Sequence, residues 1–299
     1  MPRYQCASPE TEPYAGAPYG IMSISNQEFR LIRSLVYEKF GISLGDHKQS
    51  LVVGRLQKLV RSHGFVTFRQ YYDYLCADST GKALNELINR ISTNHTFFFR
   101  ESDHFDFFSN RALPEIIASL KKTNCRDLRI WCAASSSGEE PYSLVMMMLE
   151  YFGNEYGLWN AGVLATDISE KALNKALSGV YATERLDHVP APFRQRYFVN
   201  RENSAHEIAD RVKKEVTFRR FNLMNERFPF KKPFHAIFCR NVMIYFDQET
   251  RDKLVQKLYD HTVPGGYLFI GHSESIRTSQ VPYEPVAPAV YRKIEGRSR

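Results

Sequence analysis

Leu128-Arg129-Ile130-Trp131-Cys132-Ala133-Ala134-Ser135-Ser136-Ser137-Gly138-Glu139-Glu140-Pro141-Tyr142 runs from a β-rich segment, through a loop of small residues, into the start of a helix. Open parallel sheets begin in this way, and in them ligands bind at the carboxyl ends of the strands, near the point where strand order reverses. Small residues let backbone approach a ligand, and Pro141 suits the first turn of the following helix. Glu139 and Glu140 lie where the helix dipole favours negative charge. A phosphate-cradling loop would carry Lys or bare amides there, as in Gly-x-x-x-x-Gly-Lys, whereas two carboxylates repel a phosphate. The loop suits a cation, unless the glutamates only cap the helix and the serines only turn the chain.

On the carboxyl-terminal side, short β-rich runs alternate with helical stretches. Strands are expected at Leu128 to Ala133, Gly162 to Thr166, Val216 to Phe221, His235 to Cys239, Tyr267 to Gly271 and Ala289 to Ile294, with helices at Pro141 to Phe152, Ser169 to Leu177 and Gln248 to Val263. The expected fold is a doubly wound α/β domain over 126–299. Periodicity fails over about 178–214, where Val180, Tyr181, Tyr197, Phe198 and Val199 suggest an inserted subdomain of short strands. The second strand ends in Asp167, the position that hydrogen-bonds ribose hydroxyls in nucleotide-binding βαβ units, although an N-cap role for the next helix is equally cheap. A loop with acids followed by an Asp after strand two fits a ligand with a ribose and a cationic group but no phosphate, the shape of S-adenosylmethionine. The fourth strand runs into Arg240, Asn241 and nearby Tyr245, polar groups facing the same crevice.

Toward the amino terminus, Asn94-His95-Thr96-Phe97-Phe98-Phe99-Arg100 places a cation and hydrogen-bonding side chains around three aromatics, within an expected interdomain connection and helix over 93–125. Before it, residues 23–92 read as a small helical domain. Ser25 with Glu28 forms a capping-box pattern, and Phe29, Ile32, Leu35, Val36 and Phe40 follow at helical spacing until Gly41. A second helix begins near Asp46 with Leu51, Val52, Leu56, Leu59 and Val60 on one face. A third runs from Thr67 to about Cys76, and a fourth from Gly81 to Ile91. Residues 1–22, with four prolines, three tyrosines and no periodicity, read as a flexible leader.

Composition bounds the function classes. The 299 residues are 43% hydrophobic, 13% aromatic and 24% charged, which is globular and not disordered. No apolar run reaches the length of a membrane span and no signal peptide is evident, so a cytoplasmic protein without direct membrane insertion is expected. The five cysteines are scattered, and neither Cys-x-x-Cys nor His-Glu-x-x-His occurs, so neither disulfides nor a bound metal are expected. The net charge of +7 steers acidic partners toward the surface.

Three segments carry a resemblance: Asn94-x-Thr96-x-Phe98-Phe99-Arg100, Ala133 through Ser143, and Phe238-Cys239-Arg240-Asn241-Val242-Met243-Ile244-Tyr245-Phe246, extended by Gly271-His272-Ser273-Glu274. Together they resemble the chemotaxis receptor methyltransferase (CheR) family, over essentially Ser23 to Ile294. The resemblance implies an all-α domain joined to a Rossmann-like class I methyltransferase domain with an inserted β-subdomain. It also implies S-adenosylmethionine as cofactor and S-adenosylhomocysteine as product. Asn94, Thr96, Arg100, Glu140, Asp167, Asn222, Leu223, Asn241 and Val242 match cofactor-contacting positions, and Arg100 and Tyr245 match positions near the transferable methyl. Asp167 would hold the ribose hydroxyls, Glu140 would face the methionyl ammonium, and Asn222 with Leu223 would border the adenine.

The implied reaction is methylation of glutamate side chains in the cytoplasmic helical region of methyl-accepting chemotaxis receptors, by an enzyme expected to be a monomer. Lys48, Arg55, Lys58, Arg61 and Arg69, with no acid between positions 47 and 70, would meet the acidic receptor helices, so that binding weakens with salt. The Asn200 to His206 loop lacks the glycines of members that bind a receptor tether. Two other readings are a nucleic-acid methyltransferase and a noncatalytic cofactor-binding module. Base N-methylating enzymes place Asn or Asp before Pro-Pro and an aromatic, where this chain has Asn241-Val242-Met243-Ile244-Tyr245, so no nucleic-acid partner is expected. Retention of both Arg100 and Tyr245 disfavours the noncatalytic module.

Overall fold

The computed structural model describes residues 20–294, so all but the last three positions of the expected leader lie outside the described residues. Four helices open the fold: α1 (Asn26–Phe40), α2 (Gln49–Ser62), α3 (Phe68–Ala77) and α4 (Lys82–Ile91). The capping box starts α1, since the Ser25 hydroxyl accepts from the Glu28 amide (3.2 Å) and the Glu28 carboxylate accepts from the Ser25 amide (2.8 Å). Gly41, at φ 69°, ends the helix in a left-handed conformation. The buried face of α2 is Val52, Val53, Leu56, Leu59 and Val60, as expected at four positions, with Val53 in place of Leu51. A 3-10 turn at Asp46–Lys48 precedes the α-helix, which begins at Gln49, and Leu51 in its first turn is exposed.

The chain continues through α5 (Ser102–Phe107), a π-helical turn, α6 (Leu113–Lys122), β1 (Asp127–Cys132), α7 (Glu139–Phe152), β2 (Asn160–Asp167) and α8 (Glu170–Ser178). Then come β3 (Val180–Ala182), α9 (Ala191–Tyr197), β4 (Phe198–Arg201), β5 (Ala205–Ile208), α10 (Asp210–Lys213) and β6 (Val216–Arg220). The last elements are β7 (Phe234–Cys239), α11 (Gln248–Asp260), β8 (Thr262–Ile270), β9 (Tyr283–Ala287) and β10 (Val290–Lys293). Seven strands form one sheet in the order β6-β2-β1-β7-β8-β10-β9, parallel from β6 to β8 and antiparallel at β10 and β9. Strand order reverses between β1 and β7, and that is where a ligand crevice belongs. A separate antiparallel sheet, β3-β5-β4, lies within the stretch where periodicity failed.

Helices cover both faces of the large sheet, so central β7 is buried at every residue and reads as an unbroken apolar run. Phe238 and Phe269 stack across β7 and β8 with centroids 4.2 Å apart, and Phe108 from the π-turn meets Phe238 edge-on. The expected helix to Val263 ends at Asp260, because β-branched Thr262 and Val263 already belong to β8. β9 was not expected. Pro285 interrupts its pattern, and the strand is tolerated because it sits at the sheet edge.

His235 ties two central strands together, since its Nδ1 accepts from the Arg129 amide of β1 at 3.0 Å. Burial, aided by the nearby Arg129 charge, pushes its pKa down to about 4. In the unfolded chain the ring titrates near its ordinary 6.5, so the contribution is fully present above about pH 6.5 and is lost as pH falls toward 4. We expect urea midpoints to fall between pH 7 and pH 4.5, with His235 accounting for about 2 kcal/mol. In His235→Gln that part of the slope should disappear; an unchanged slope contradicts the assignment.

Candidate functional site

The crevice begins at the turn after β1. Ser136 adopts φ 48° and Gly138 φ 96°, both left-handed. At Gly138 a Cβ would lie 2.8 Å from the Ala176 Cβ and 3.0 Å from the Tyr181 hydroxyl, so only glycine lets the turn pack this closely on α8 and β3. Asp167, at the end of β2, closes the other side. Its Oδ2 accepts from the Ser136 amide and its Oδ1 from the Ser169 amide, both at 2.8 Å. Burial raises its pKa, opposed by these amide hydrogen bonds. Asp167 thus organises the β1 turn as well as facing the crevice.

The two loop glutamates have different fates. Glu139 is fully buried and ion-paired with Arg185, away from the crevice. Glu140 faces the cavity, receives Arg240 Nη1 at 2.5 Å and lies 2.8 Å from the Cys132 thiol. Arg240, 4% exposed at the end of β7, also donates from Nη2 to Glu101 Oε2 at 2.9 Å and to the Arg100 carbonyl. Burial works against ionising Glu101, but the Asn241 hydrogen bond and the Arg240 charge hold it down to about 2. Two carboxylates against one guanidinium leave this cluster one negative charge in excess, which favours an ammonium or sulfonium over an anion.

Asn241 follows in a strained left-handed conformation, φ 56°. Three contacts hold it there: its amide donates to Glu274 Oε2 (2.9 Å), its Nδ2 donates to Glu101 Oε1 (3.0 Å), and Gly271 packs against it. A Cβ on Gly271 would stand 2.3 Å from Asn241 Nδ2 and 2.9 Å from its backbone nitrogen. Gly271→Ala should therefore cost about 1–3 kcal/mol by overpacking. Because it displaces Asn241, it should also weaken S-adenosylhomocysteine binding; calorimetry on the folded variant that returns wild-type affinity contradicts this reading.

Every residue expected at the site lines one cavity: Asn94, Thr96 and Arg100, then Glu140 and Asp167, then Asn222, Leu223, Asn241, Val242 and Tyr245. Asn222 lines it with its side chain already engaged, Nδ2 donating to the Lys39 carbonyl (2.8 Å) and Oδ1 accepting from the Met224 amide (3.0 Å). Arg100 is half-buried, with one Nη1 bond to the His95 carbonyl (2.7 Å) and no carboxylate partner among the described residues. Phe221, Leu223 and Ile168 give the cavity an apolar stretch beside Asp167, suited to a flat aromatic base. Acid cluster, ribose-type aspartate and apolar slot fit S-adenosylmethionine part for part.

Sequence reasoning missed the helical domain's share of the walls, Phe40, Ile42 and Leu44. The domain is stitched to the site by Ser43 N to Tyr245 O (2.8 Å), Tyr37 Oη to Asp247 Oδ2 (2.6 Å) and an isolated bridge between Ile42 and Phe246. No short-range pattern foretells contacts across so much chain. Glu101 and Glu274 were also missed as positioning residues, although Glu101 adjoins and Glu274 ends a segment singled out above.

Comparison with known proteins gives two family matches: the CheR methyltransferase all-alpha domain over residues 27–92 and the CheR methyltransferase SAM binding domain over residues 94–291. A chemotaxis protein methyltransferase of Borreliella burgdorferi is 41% identical over 272 residues, covering 91% of this chain and 96% of the relative. One from Escherichia coli is 38% identical over 258 residues, covering 85% and 86% respectively. Chemotaxis protein methyltransferase 2 of Pseudomonas aeruginosa is 33% identical over 270 residues, covering 89% and 93%.

Proposed function

The chain belongs to the CheR family of S-adenosylmethionine-dependent chemotaxis methyltransferases, and from that premise we propose that it esterifies glutamate side chains of chemotaxis receptors. One observation carries this reading. The cavity that joins the acid cluster to Asp167 also presents Arg100, a cation without a carboxylate partner among the described residues, and the Tyr245 phenol. An enzyme whose substrate is itself a carboxylate needs such an unspent guanidinium.

When bound, S-adenosylmethionine supplies an electrophilic methyl group and departs as the neutral thioether S-adenosylhomocysteine. Glu140, which faces the cavity and shares Arg240 with Glu101, holds the amino-acid ammonium. Asp167 accepts from the ribose hydroxyls, and Leu223 with Phe221 covers the base. A glutamate nucleophile is already ionised at pH 7, its ordinary pKa being near 4.3, so no general base is required. Arg100 orients the incoming carboxylate through its planar fork, and Tyr245 aims the attacking oxygen. Alignment of this kind supplies up to about 7–11 kcal/mol of barrier reduction.

The receptor's approach is toward α2 in this reading, with a reduced set of cations. Arg69 pairs with Asp73 (2.9 Å), and Arg55 donates to the Ile91 carbonyl and Thr93 Oγ1. Lys48 and Lys58 have no ion pair among the described residues, and exposed Leu51 lies between them on the cavity side. Among the described residues no helix is long and apolar enough to cross a membrane. The experiment is mass spectrometry of receptor cytoplasmic fragments after incubation with enzyme and cofactor. A methyl gain on glutamate supports the reading. Transfer to RNA, or binding of cofactor without any transfer to receptor, overturns it.

A further inference from the structure

On its side away from the cavity, Glu101 meets two histidines that methyl transfer does not use. His104, one residue-turn along α5, is 1% exposed, and its Nε2 sits 3.2 Å from the Pro288 carbonyl. A carbonyl oxygen only accepts, so the ring proton is on Nε2 and Nδ1 presents a bare lone pair. That Nδ1 is buried and has no hydrogen-bond partner. An unpaired buried acceptor is costly and calls for an explanation. Around it stand Glu101 Oε2, 3.5 Å away, and the ring of His272, with centroids 4.6 Å apart. One ligand atom from each of Glu101, His104 and His272 falls within 4.8 Å of the others.

We propose that Glu101, His104 and His272 form a binding site for a divalent transition metal of the Zn²⁺ class. Two imidazoles and one carboxylate are the donor set that borderline ions prefer, whereas Mg²⁺ and Ca²⁺ take oxygen shells. The Nε2–H bond from His104 to a backbone carbonyl is the outer contact that orients ligating histidines and fixes their tautomer. His272 and Asp103 are exposed, with Asp103 Oδ2 2.9 Å from His272 Nε2, so an ion has an entry path and room for a water ligand. Glu101, Asp103 and Glu140 outweigh the single charge of Arg240. Sequence inspection passes over the site because its donors come from α5 and from the turn after β8, with no ligand spacing between them.

Occupancy would bear on the neighbouring cleft, because the ion and Arg240 share Glu101 Oε2. The test uses the untagged full chain, titrated calorimetrically with zinc chloride alone and, separately, with cobalt chloride while visible absorption is recorded. The expected result is one ion per chain and a cobalt d–d spectrum, with His272→Ala binding zinc about tenfold or more weakly and losing the spectrum. His47→Ala, an exposed histidine in the helical domain, should bind as wild type. Absence of binding by the wild-type chain, or equal affinity in His272→Ala, overturns the proposal. His272 is exposed, so its removal leaves the core intact.

Discussion

Replacing Arg240 with leucine should cost about 3–5 kcal/mol of folding stability, since it strands Glu101 and Glu140 without the cation they share. The guanidinium is 1% exposed in its side chain, with Glu101 at 15% and Glu140 at 13%, so water cannot replace it. The loss exceeds that of an exposed ion pair, usually below about 1 kcal/mol, and also releases the Arg100 carbonyl that Arg240 holds. The measurement is urea unfolding at pH 7. The Glu101 pKa is depressed to about 2, so its contribution is present above the ordinary carboxylate range and fades as pH falls through that range toward 2. In Arg240→Leu this fading should be absent or reversed. A variant as stable as wild type would mean that the cluster is not the site's electrostatic anchor.

Arg100→Ala carries the largest expected effect on activity. Its guanidinium has a single backbone bond, so little folding energy rests on it. If it orients the attacking carboxylate, its loss removes a contact that matters most during transfer, and turnover on receptor should fall about 10²–10³-fold. S-adenosylhomocysteine affinity should change far less, because Glu140 and Asp167 remain. Arg100→Lys should recover only part of the rate, keeping the charge but losing the fork. Turnover within a few-fold of wild type in Arg100→Ala removes Arg100 from the chemistry.

Much of the fold was legible because its parts announce themselves locally. The capping box at Ser25 and Glu28, the apolar run of β7 and the small-residue turn before Glu139 each state their conformation within a few residues. What was hidden depends on distance along the chain. Glu139 and Glu140 are adjacent and chemically identical, yet Arg185 claims one and Arg240 the other, and nothing short-range separates them. Arg69 is the exception, because its partner Asp73 stands only four residues on, an i, i+4 pair within reach of the sequence. Glu101 gained its role only when β7 brought Arg240 and Asn241 to it.

We propose that the crevice at the β1–β7 switch point is shaped and charged for a cationic sulfur nucleoside. Its most direct test is calorimetric titration of the full chain with S-adenosylhomocysteine, wild type against Asp167→Ala. One binding event per wild-type chain is expected, with a loss of affinity of about tenfold or more when Asp167 can no longer accept from the ribose. Folded wild-type protein that gives no heat, or an Asp167→Ala variant that binds equally well, contradicts it.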